Sequence, residues 1–219
     1  MTARALTLAL TLAGAAAAAV AAAGVAHADR REASLHAELV GGALATGDTD
    51  APGATSLVPL AGLAARASYA THDAYQYDVA LTLLRAGEAA FGPHTFTPAG
   101  RPPVSGPYQV GALLARVDGG VTLRLGVRWI PTVRLAAGVQ LRRLGEAEVT
   151  TPGGTLTGRD AGLAFELIGA GAIGLDHRVN RRLIVGISTG VSLAVPVSGP
   201  PARTVELTLH GAYYWYPRW

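Results

Sequence analysis

The sequence of 219 residues contains no cysteine. This absence excludes disulfide frameworks, thiolate metal sites, cysteine nucleophiles and a lipid-bearing N-terminal cysteine. Charge is also sparse, with 18 basic and 15 acidic residues and a net charge of +3. Because the excess is small and evenly spread, the sequence gives no indication of nucleic-acid binding. The composition does not change between the two halves of the chain, so a single domain is expected.

After the N-terminal segment, every stretch of about 18 residues contains a charge or a turn former. No membrane-spanning helix is therefore expected in that part of the chain. At the N-terminus itself, Arg4 precedes an apolar stretch over 5–25, and 26–28 reads Ala-His-Ala. This pattern predicts a signal peptide over 1–28 and a mature protein over 29–219. An uncleaved anchor helix is the alternative; the alanine-rich stretch and the small residue at Ala28 favour cleavage.

Alternation with a period of two is what the mature sequence has in abundance. One face of the last segment carries Val205, Leu207, Leu209, Gly211, Tyr213, Trp215, Pro217 and Trp219, whereas the other carries Thr204, Glu206, Thr208, His210, Ala212 and Tyr214. Five earlier segments alternate similarly. Since the large apolar set opposes a set of small and charged residues, we predict strands that face lipid outward and a narrow lumen inward. A soluble periplasmic sandwich or lipid carrier is an alternative, but its outer face should be polar.

Eight strands account for these segments, at about 34–46, 58–71, 75–90, 107–118, 132–144, 155–175, 182–196 and 204–219. Loops at 47–56, 92–106, 145–158 and 198–203 are rich in Gly and Pro, and they alternate with tight turns such as 71–74 and 176–181. The segment 117–131 could form a ninth strand. Because bacterial single-chain barrels have an even strand number, we interpret it as an extension of the fourth strand, with a bulge near Gly119 and a turn around Pro131. The predicted fold is an all-β, eight-stranded antiparallel up-and-down transmembrane β-barrel.

The ending Tyr213-Tyr214-Trp215-Tyr216-Pro217-Arg218-Trp219 resembles the last strand of bacterial outer-membrane proteins. With the signal peptide and the eight alternating segments, the mature chain resembles small barrels of the OmpA/OmpX membrane-domain type from Gram-negative cells. The resemblance implies a location in the cell outer membrane, contact with its lipid and lipopolysaccharide, and recognition of Trp219 by the barrel assembly machinery. The frequent terminal residue of that group is Phe rather than Trp. A monomer is expected.

The inward charges should pair, since an unpaired buried charge costs several kcal/mol. We therefore predict a lumen charge network that closes the barrel, formed by Glu38, Arg66, Asp78, Arg134, Arg142, Glu166, Glu206 and His210. The small inward residues leave a narrow pore as the alternative. Aromatic residues near strand ends are expected at the membrane interface, with Tyr69, Tyr75, Tyr77, Trp129, Tyr213, Trp215 and Trp219 on one side and Tyr108 on the other.

Catalytic and cofactor motifs are absent from the sequence. His36, His72, His94 and His177 have no metal-ligand spacing, and the pairs His72-Asp73 and Asp176-His177 are expected to be structural residues of tight turns. A lipid-modifying enzyme would need His210 with Ser188 or Ser192, which are predicted to face inward. The leading hypothesis is a non-enzymatic barrel without cofactor or metal, with an envelope-structural or surface-loop role. The proline-rich loop 92–106 is the expected recognition element.

Overall fold

The computed structural model describes residues 32–70, 74–197 and 199–215. The predicted signal peptide, the His72-Asp73 pair and Trp219 lie outside these residues. The described residues form ten strands and include no helix long and apolar enough to cross a membrane. The strands are β1 (Ala33–Asp48), β2 (Ala51–Ala70), β3 (Tyr75–Phe96), β4 (Val104–Arg124), β5 (Trp129–Leu144), β6 (Ala147–Thr151), β7 (Gly154–Arg159), β8 (Gly162–Arg178), β9 (Leu183–Pro196) and β10 (Ala202–Trp215).

Eight of these strands close into a ring of antiparallel neighbours, in the order β1-β2-β3-β4-β5-β8-β9-β10, with β10 paired to β1. The predicted eight-stranded up-and-down barrel is therefore confirmed. The stagger of the ring follows from the pairing. A path from Arg85 of β3 across each register pair in turn returns to β3 at Tyr75, ten residues away. A shear of ten over eight strands corresponds to a strand tilt of roughly 40°.

The outer surface carries an apolar band that matches a bilayer core. Outward side chains alternate with buried ones along every ring strand, and the exposed set is mainly Leu, Val, Ile and aromatic. Exposed arginines on the outer face mark one border of this band, at Arg85, Arg143 and Arg203. Tyr75 and Tyr77, with Trp129, Tyr213 and Trp215, mark the other. The ten residues between Arg85 and Tyr75 cover about 25 Å of height at this tilt, which is the height of a lipid-facing band.

The two ends of the barrel differ, and we name them by their connections. The turn end holds the start of β1, the end of β10 and the short links 71–74, 125–128 and 179–182. The loop end holds the links 49–50, 97–103 and 197–201 and the β6–β7 hairpin. At the loop end β3 and β4 continue beyond the apolar band, and β6 adds to β4 through the pairs Tyr108–Val149 and Gln109–Glu148. A small sheet of β3, β4, β6 and β7 therefore rises above the band.

Two details of the segment 117–131 differ from the sequence prediction. The extension of β4 is real, but no bulge lies near Gly119, where the pairing with β3 and β5 is continuous. The irregular positions are at 86–89 and 91–94 of β3 instead. The turn after β4 is made by 125–128, where Gly126 adopts a φ of 113° that side chains disfavour. Pro131 lies inside β5, paired with Leu175.

The predicted loops are shorter than their composition indicates. Residues 92–106 are mostly strand and leave only 97–103 unpaired, while 145–158 is largely the β6–β7 hairpin. The segment 155–175 is not one strand, since its first part, β7, pairs with β6 and its remainder belongs to β8. The sequence prediction assigns these segments to loops because glycine and proline interrupt the alternation there. Pairing with a neighbouring strand nevertheless satisfies the backbone groups of these segments.

Candidate functional site

The lumen near the turn end is filled by a neutral polar network. Ser34 and Ser68 hydroxyls lie 2.5 Å apart, and the amide of Gln76 donates to both of them. The ring nitrogen Nε2 of His36 lies 3.0 Å from the Ser34 hydroxyl. These side chains project inward because they occupy every second position of β1, β2 and β3. The network connects three strands across the lumen.

An ion-pair layer lies next to this network, toward the middle of the barrel. Arg134 contacts the carboxylates of both Asp78 and Asp118, each at 2.5 Å. Arg66 Nε lies 2.8 Å from Glu38 Oε1, but its N–H does not point at this oxygen, so the contact is an ion pair without a hydrogen bond. Charges of opposite sign therefore meet at short range in a space from which most water is excluded.

Two further ion pairs extend this layer in opposite directions. Arg116 Nη2 donates to Glu206 Oε1 at 2.8 Å, near the middle of the lumen. Toward the turn end, a carboxylate oxygen of Asp176 lies 2.9 Å from His210 Nε2, which is within hydrogen-bond and ion-pair distance. The turn prediction for Asp176 is wrong: this residue lies within β8, its side chain is buried in the lumen, and the turn begins after Arg178. His210 faces inward, and its described contact is Asp176 rather than Ser188 or Ser192.

The turn end of the lumen is closed by a cluster around Glu32, which is fully buried. Arg124 Nη1 lies 3.3 Å from one of its carboxylate oxygens, and Arg178 Nη2 lies 3.7 Å from the other. The guanidinium of Arg124 also stacks 5.0 Å from the ring centroid of Tyr214. Ile130 and Ile184 pack beside this tyrosine. Side chains beside the start of β1, near the end of β10 and at the ends of other strands therefore block this end of the lumen.

The loop end of the lumen is closed differently, by an apolar cluster. Leu44, Leu84 and Leu114 are 0% exposed and project from three different strands. Phe91, Phe96 and Tyr108 continue the cluster upward and pack with Val149 of the β6–β7 hairpin. The packing is tight enough that a Cβ at Gly158 would lie 2.5 Å from the ring of Phe96. The sequence prediction closes the lumen with a charge network and contains no apolar closure.

One ion pair is embedded at the level of the apolar cluster. Arg142 Nε lies 2.8 Å from Glu166 Oε1, and the side chains are 4% and 0% exposed. Gln140 donates to the other carboxylate oxygen of Glu166 at 2.6 Å, and Arg142 Nη1 donates to the Thr46 hydroxyl at 2.7 Å. Each charge therefore has one neutral hydrogen-bond partner, while Arg142 Nε and Glu166 Oε1 face each other as an ion pair without a hydrogen bond.

Above the cluster, the rim of the loop end carries Arg159 between Asp48 and Asp50. Burial alone would raise the pKa of Asp48, but hydrogen bonds from Arg159 and from the Asp50 N–H outweigh it, and the pKa is lowered. Tyr108 lies beneath this group and is only 1% exposed. Burial, followed by the nearby aspartates, raises its pKa to about 12. Its prediction as an interface residue is wrong, because its ring packs inside against Phe91 and Phe96.

The eight residues predicted for the lumen charge network all project inward, but the structure divides them among separate contacts. Glu38 meets Arg66, Asp78 meets Arg134, and Glu166 meets Arg142. Glu206 and His210 instead contact Arg116 and Asp176, which were not in the predicted set. Also missing from that set were Glu32, Asp118, Arg124 and Arg178. The signal for Arg116, Asp118 and Arg124 was available, since they continue the period of two from Tyr108 along β4.

Small polar cavities remain between the closures in the described part of the barrel. One of about 70 Å³ is lined by Glu38, Arg66, Arg116, Arg134, Glu206 and Thr208. A smaller one of about 30 Å³ lies beside His36, Gln76 and His210. Since one water needs roughly 10–15 Å³ of such space, the cavities have room for only a few waters. They are too small for an organic substrate of ordinary size.

The described residues do not form a serine triad. A serine triad requires one histidine that contacts both the serine and an orienting carboxylate. Here the two contacts belong to different residues, because His36 meets Ser34 and Ser68 while His210 meets Asp176. The other ring nitrogen of His36 faces Arg66 at 3.3 Å. Over residues 32–70, 74–197 and 199–215, no three acidic or histidine side chains gather as metal ligands.

Comparison with known proteins places the fold. No family model and no curated protein matches the sequence. Among solved structures, the chain is similar to Ail, the attachment invasion locus protein of Yersinia pestis, solved with the heparin analogue sucrose octasulfate. The TM-score is 0.51 at 10% identity over 85% of this chain and 100% of that one. Neisserial surface protein A matches with a TM-score of 0.52 at 11% identity over 83% and 96%.

The ring of eight antiparallel strands, the apolar outer band and these similarities agree with one another. The chain has the fold of the small bacterial outer-membrane β-barrels of the OmpA/OmpX type, and its outer surface carries an apolar band of the height that a lipid-facing surface needs.

Proposed function

We propose that this chain is a non-enzymatic outer-membrane barrel with a closed lumen, which acts through envelope integrity or through its exposed loop end. The observation that carries the proposal is the double closure of the lumen, by the Glu32 cluster at the turn end and by the apolar cluster at the loop end. When the lumen is closed in this way, the protein can contact other molecules mainly through its rim. Short turns in such barrels face the periplasm and the longer connections face outward, so we assign the loop end to the cell exterior.

The proposal includes a mature chain that begins at Asp29 after removal of 1–28 and that inserts as a monomer. It also includes Trp219 as the signal for the barrel assembly machinery. Mass spectrometry of the protein from purified outer membranes should give a chain that starts at Asp29. Removal of Trp219 should lower its level in the outer membrane. A full-length chain in the inner membrane would contradict both statements.

The first test is gel mobility with and without boiling, followed by recording in planar bilayers. A closed barrel should shift in mobility when boiled and should show no stable conductance. Replacement of Leu44, Leu84 and Leu114 by Ala, combined with Arg124→Ala at the turn end, should produce conductance events, because both closures then lose side chains that fill the lumen. Stable openings of the unmodified protein would overturn the closed lumen and favour the second candidate, a narrow pore, which the two polar cavities support.

The two non-enzymatic roles are separated by complementation. A strain without this gene would be tested for sensitivity to detergent, and it would receive either the full chain or a variant with 97–103 replaced by Gly and Ser. A role in envelope integrity predicts that both restore resistance, since these residues lie outside the ring. A role of the loop predicts normal resistance but altered surface attachment. The structure of Ail with a heparin analogue makes sulfated polysaccharide the first ligand to test for attachment.

A further inference from the structure

Three exposed arginines lie in two neighbouring turns at the turn end of the barrel. Arg128 belongs to the β4–β5 turn, and Arg181 and Arg182 belong to the β8–β9 turn; all three are exposed. The two turns are neighbours, since the N–H of Arg178 donates to the carbonyl of Arg128 at 2.8 Å. We call these three residues the turn-end arginine cluster.

The carboxylates near this cluster are not available to neutralise it. Of the acidic residues at the turn end within the described ranges, Glu32 and Asp176 are 0% and 4% exposed. Both are already engaged inside the lumen, Glu32 by Arg124 and Arg178, and Asp176 by His210. In the same ranges, Arg128 and Arg181 have no ion-pair partner. The exposed charge of the two described turns is therefore entirely positive.

The loop end shows that this sorting of charge is specific to one end. Exposed arginines there, such as Arg85, Arg143 and Arg203, share the rim with the exposed carboxylates of Glu88, Glu146 and Glu148. At the loop end the charges are mixed, whereas in the two fully described turns of the turn end, 125–128 and 179–182, the exposed charges are of one sign. A surface of one sign favours a partner of the opposite sign.

The depth of the cluster indicates which anion can reach it. Trp129 follows Arg128 directly, and its ring lies 4.3 Å from that of His177 on the outer face. Arg182 Nη1 donates to the hydroxyl of Tyr213, whose ring is also on the outer face. Exposed Trp and Tyr rings mark the level of lipid headgroups. The guanidinium groups therefore lie where the phosphates of the adjacent leaflet lie, and arginine binds phosphate oxygens with two parallel hydrogen bonds.

From these observations we infer that the turn-end arginine cluster is a binding site for anionic phospholipid of the periplasmic leaflet, with the lipid phosphate held by Arg128, Arg181 and Arg182. The inference rests on the proposed orientation in the outer membrane. Its effect is to retain lipids such as phosphatidylglycerol at one sector of the barrel, between β5 and β10, in preference to zwitterionic lipid.

The test uses the tryptophans beside the cluster as reporters. The folded full-length barrel is inserted into vesicles of phosphatidylcholine mixed with phosphatidylglycerol. Either lipid carries bromine on its acyl chains, and quenching of tryptophan fluorescence gives the relative binding constant. The unmodified protein should prefer phosphatidylglycerol several-fold, and a variant with Arg128→Gln, Arg181→Gln and Arg182→Gln should bring the ratio to about one.

A matched control removes three arginine charges at the opposite rim, through Arg85→Gln, Arg143→Gln and Arg203→Gln. This control should keep the preference if the site is local to the turn end. Equal quenching by both lipids in the unmodified protein would overturn the inference, as would equal loss in both variants, which would show a general charge effect. Binding of soluble peptidoglycan fragments by the unmodified protein, without a lipid preference, would overturn it in favour of a cell-wall contact. A heat-dependent gel shift on each sample verifies the barrel, so that failure of the fold or location is recognised separately.

Discussion

The two halves of the lumen are closed by opposite chemistry. Toward the turn end, the inward positions carry serines, histidines, Gln76 and a series of ion pairs, and small cavities lie among them. Toward the loop end, the same inward positions carry Leu, Val, Ala and aromatic residues that pack closely. Both halves belong to the same ring of strands. The inward face of one strand therefore changes from polar to apolar along its own length.

This difference has a physical consequence for how each half is stabilised. A polar lumen holds its shape through direction-dependent contacts, and each unmatched group has a large cost. An apolar lumen gains free energy for every buried methyl group and tolerates exchange of similar residues. We expect a single truncation in the apolar half to lose its packing in full, whereas a polar group with two partners, such as Arg134, keeps one of them when the other is removed. Substitutions that exchange these properties test the comparison.

The largest effect is expected at the one ion pair embedded at the level of the apolar half. Glu166→Ala leaves Arg142 buried without a carboxylate partner, and the free energy of unfolding should fall by about 3–5 kcal/mol. Urea titration of the barrel in detergent micelles, followed by tryptophan fluorescence, measures this loss. Glu148→Ala is the control, because its side chain is exposed on β6 and its loss should be close to zero.

A second variant separates the charge effect from a packing effect. Replacing both partners, with Glu166→Leu and Arg142→Leu, should recover part of the lost stability, since no buried charge then lacks a partner. If the double variant is less stable than Glu166→Ala alone, the pair contributes through its packing rather than through its charge.

The next effect is expected within the apolar cluster itself. Leu114→Ala should lower the free energy of unfolding by about 2–5 kcal/mol, because the side chain is 0% exposed and its removal leaves a cavity. The adjacent residue Leu113 points outward to lipid and provides the matched control. Leu113→Ala should cost less than about 1 kcal/mol. Equal losses for the two leucines would mean that the loop-end lumen is not a packed core.

The fold was predictable because period-two alternation and strand parity leave few arrangements for a chain of this length. The chemistry of the loop-end lumen was not predictable from the sequence. Without the barrel stagger, nothing shows that inward residues of different strands, such as Leu84 and Leu114, lie at the same level. The stagger decides which inward residues share a level, and it depends on pairing rather than on any one segment. The same reason explains why Arg116 was not matched with Glu206, 90 positions away.

A smaller effect is expected in the polar half, where Arg134 has two carboxylate partners. Asp78→Asn or Asp118→Asn alone should cost about 1.5–3 kcal/mol, because the other aspartate still neutralises the guanidinium. The double variant should cost more than the sum of the two, since Arg134 then loses both. Urea titration of the three variants measures the coupling. Additive losses would show that the two contacts are independent.

The smallest effect belongs to the rim, outside both halves. The pKa of Asp48 is lowered in the folded protein, so its ion pair with Arg159 stabilises the fold above the ordinary aspartate pKa. This contribution should disappear as the pH falls from about 4 through the lowered value, because the carboxylate becomes protonated. The rim pair is partly exposed, and its contribution should be about 1 kcal/mol or less. Comparing urea titrations at pH 7 with titrations at successively lower pH measures it. Arg159→Gln should flatten this part of the pH dependence, and an unchanged profile would mean that carboxylates inside the lumen, rather than at the rim, set the acid sensitivity.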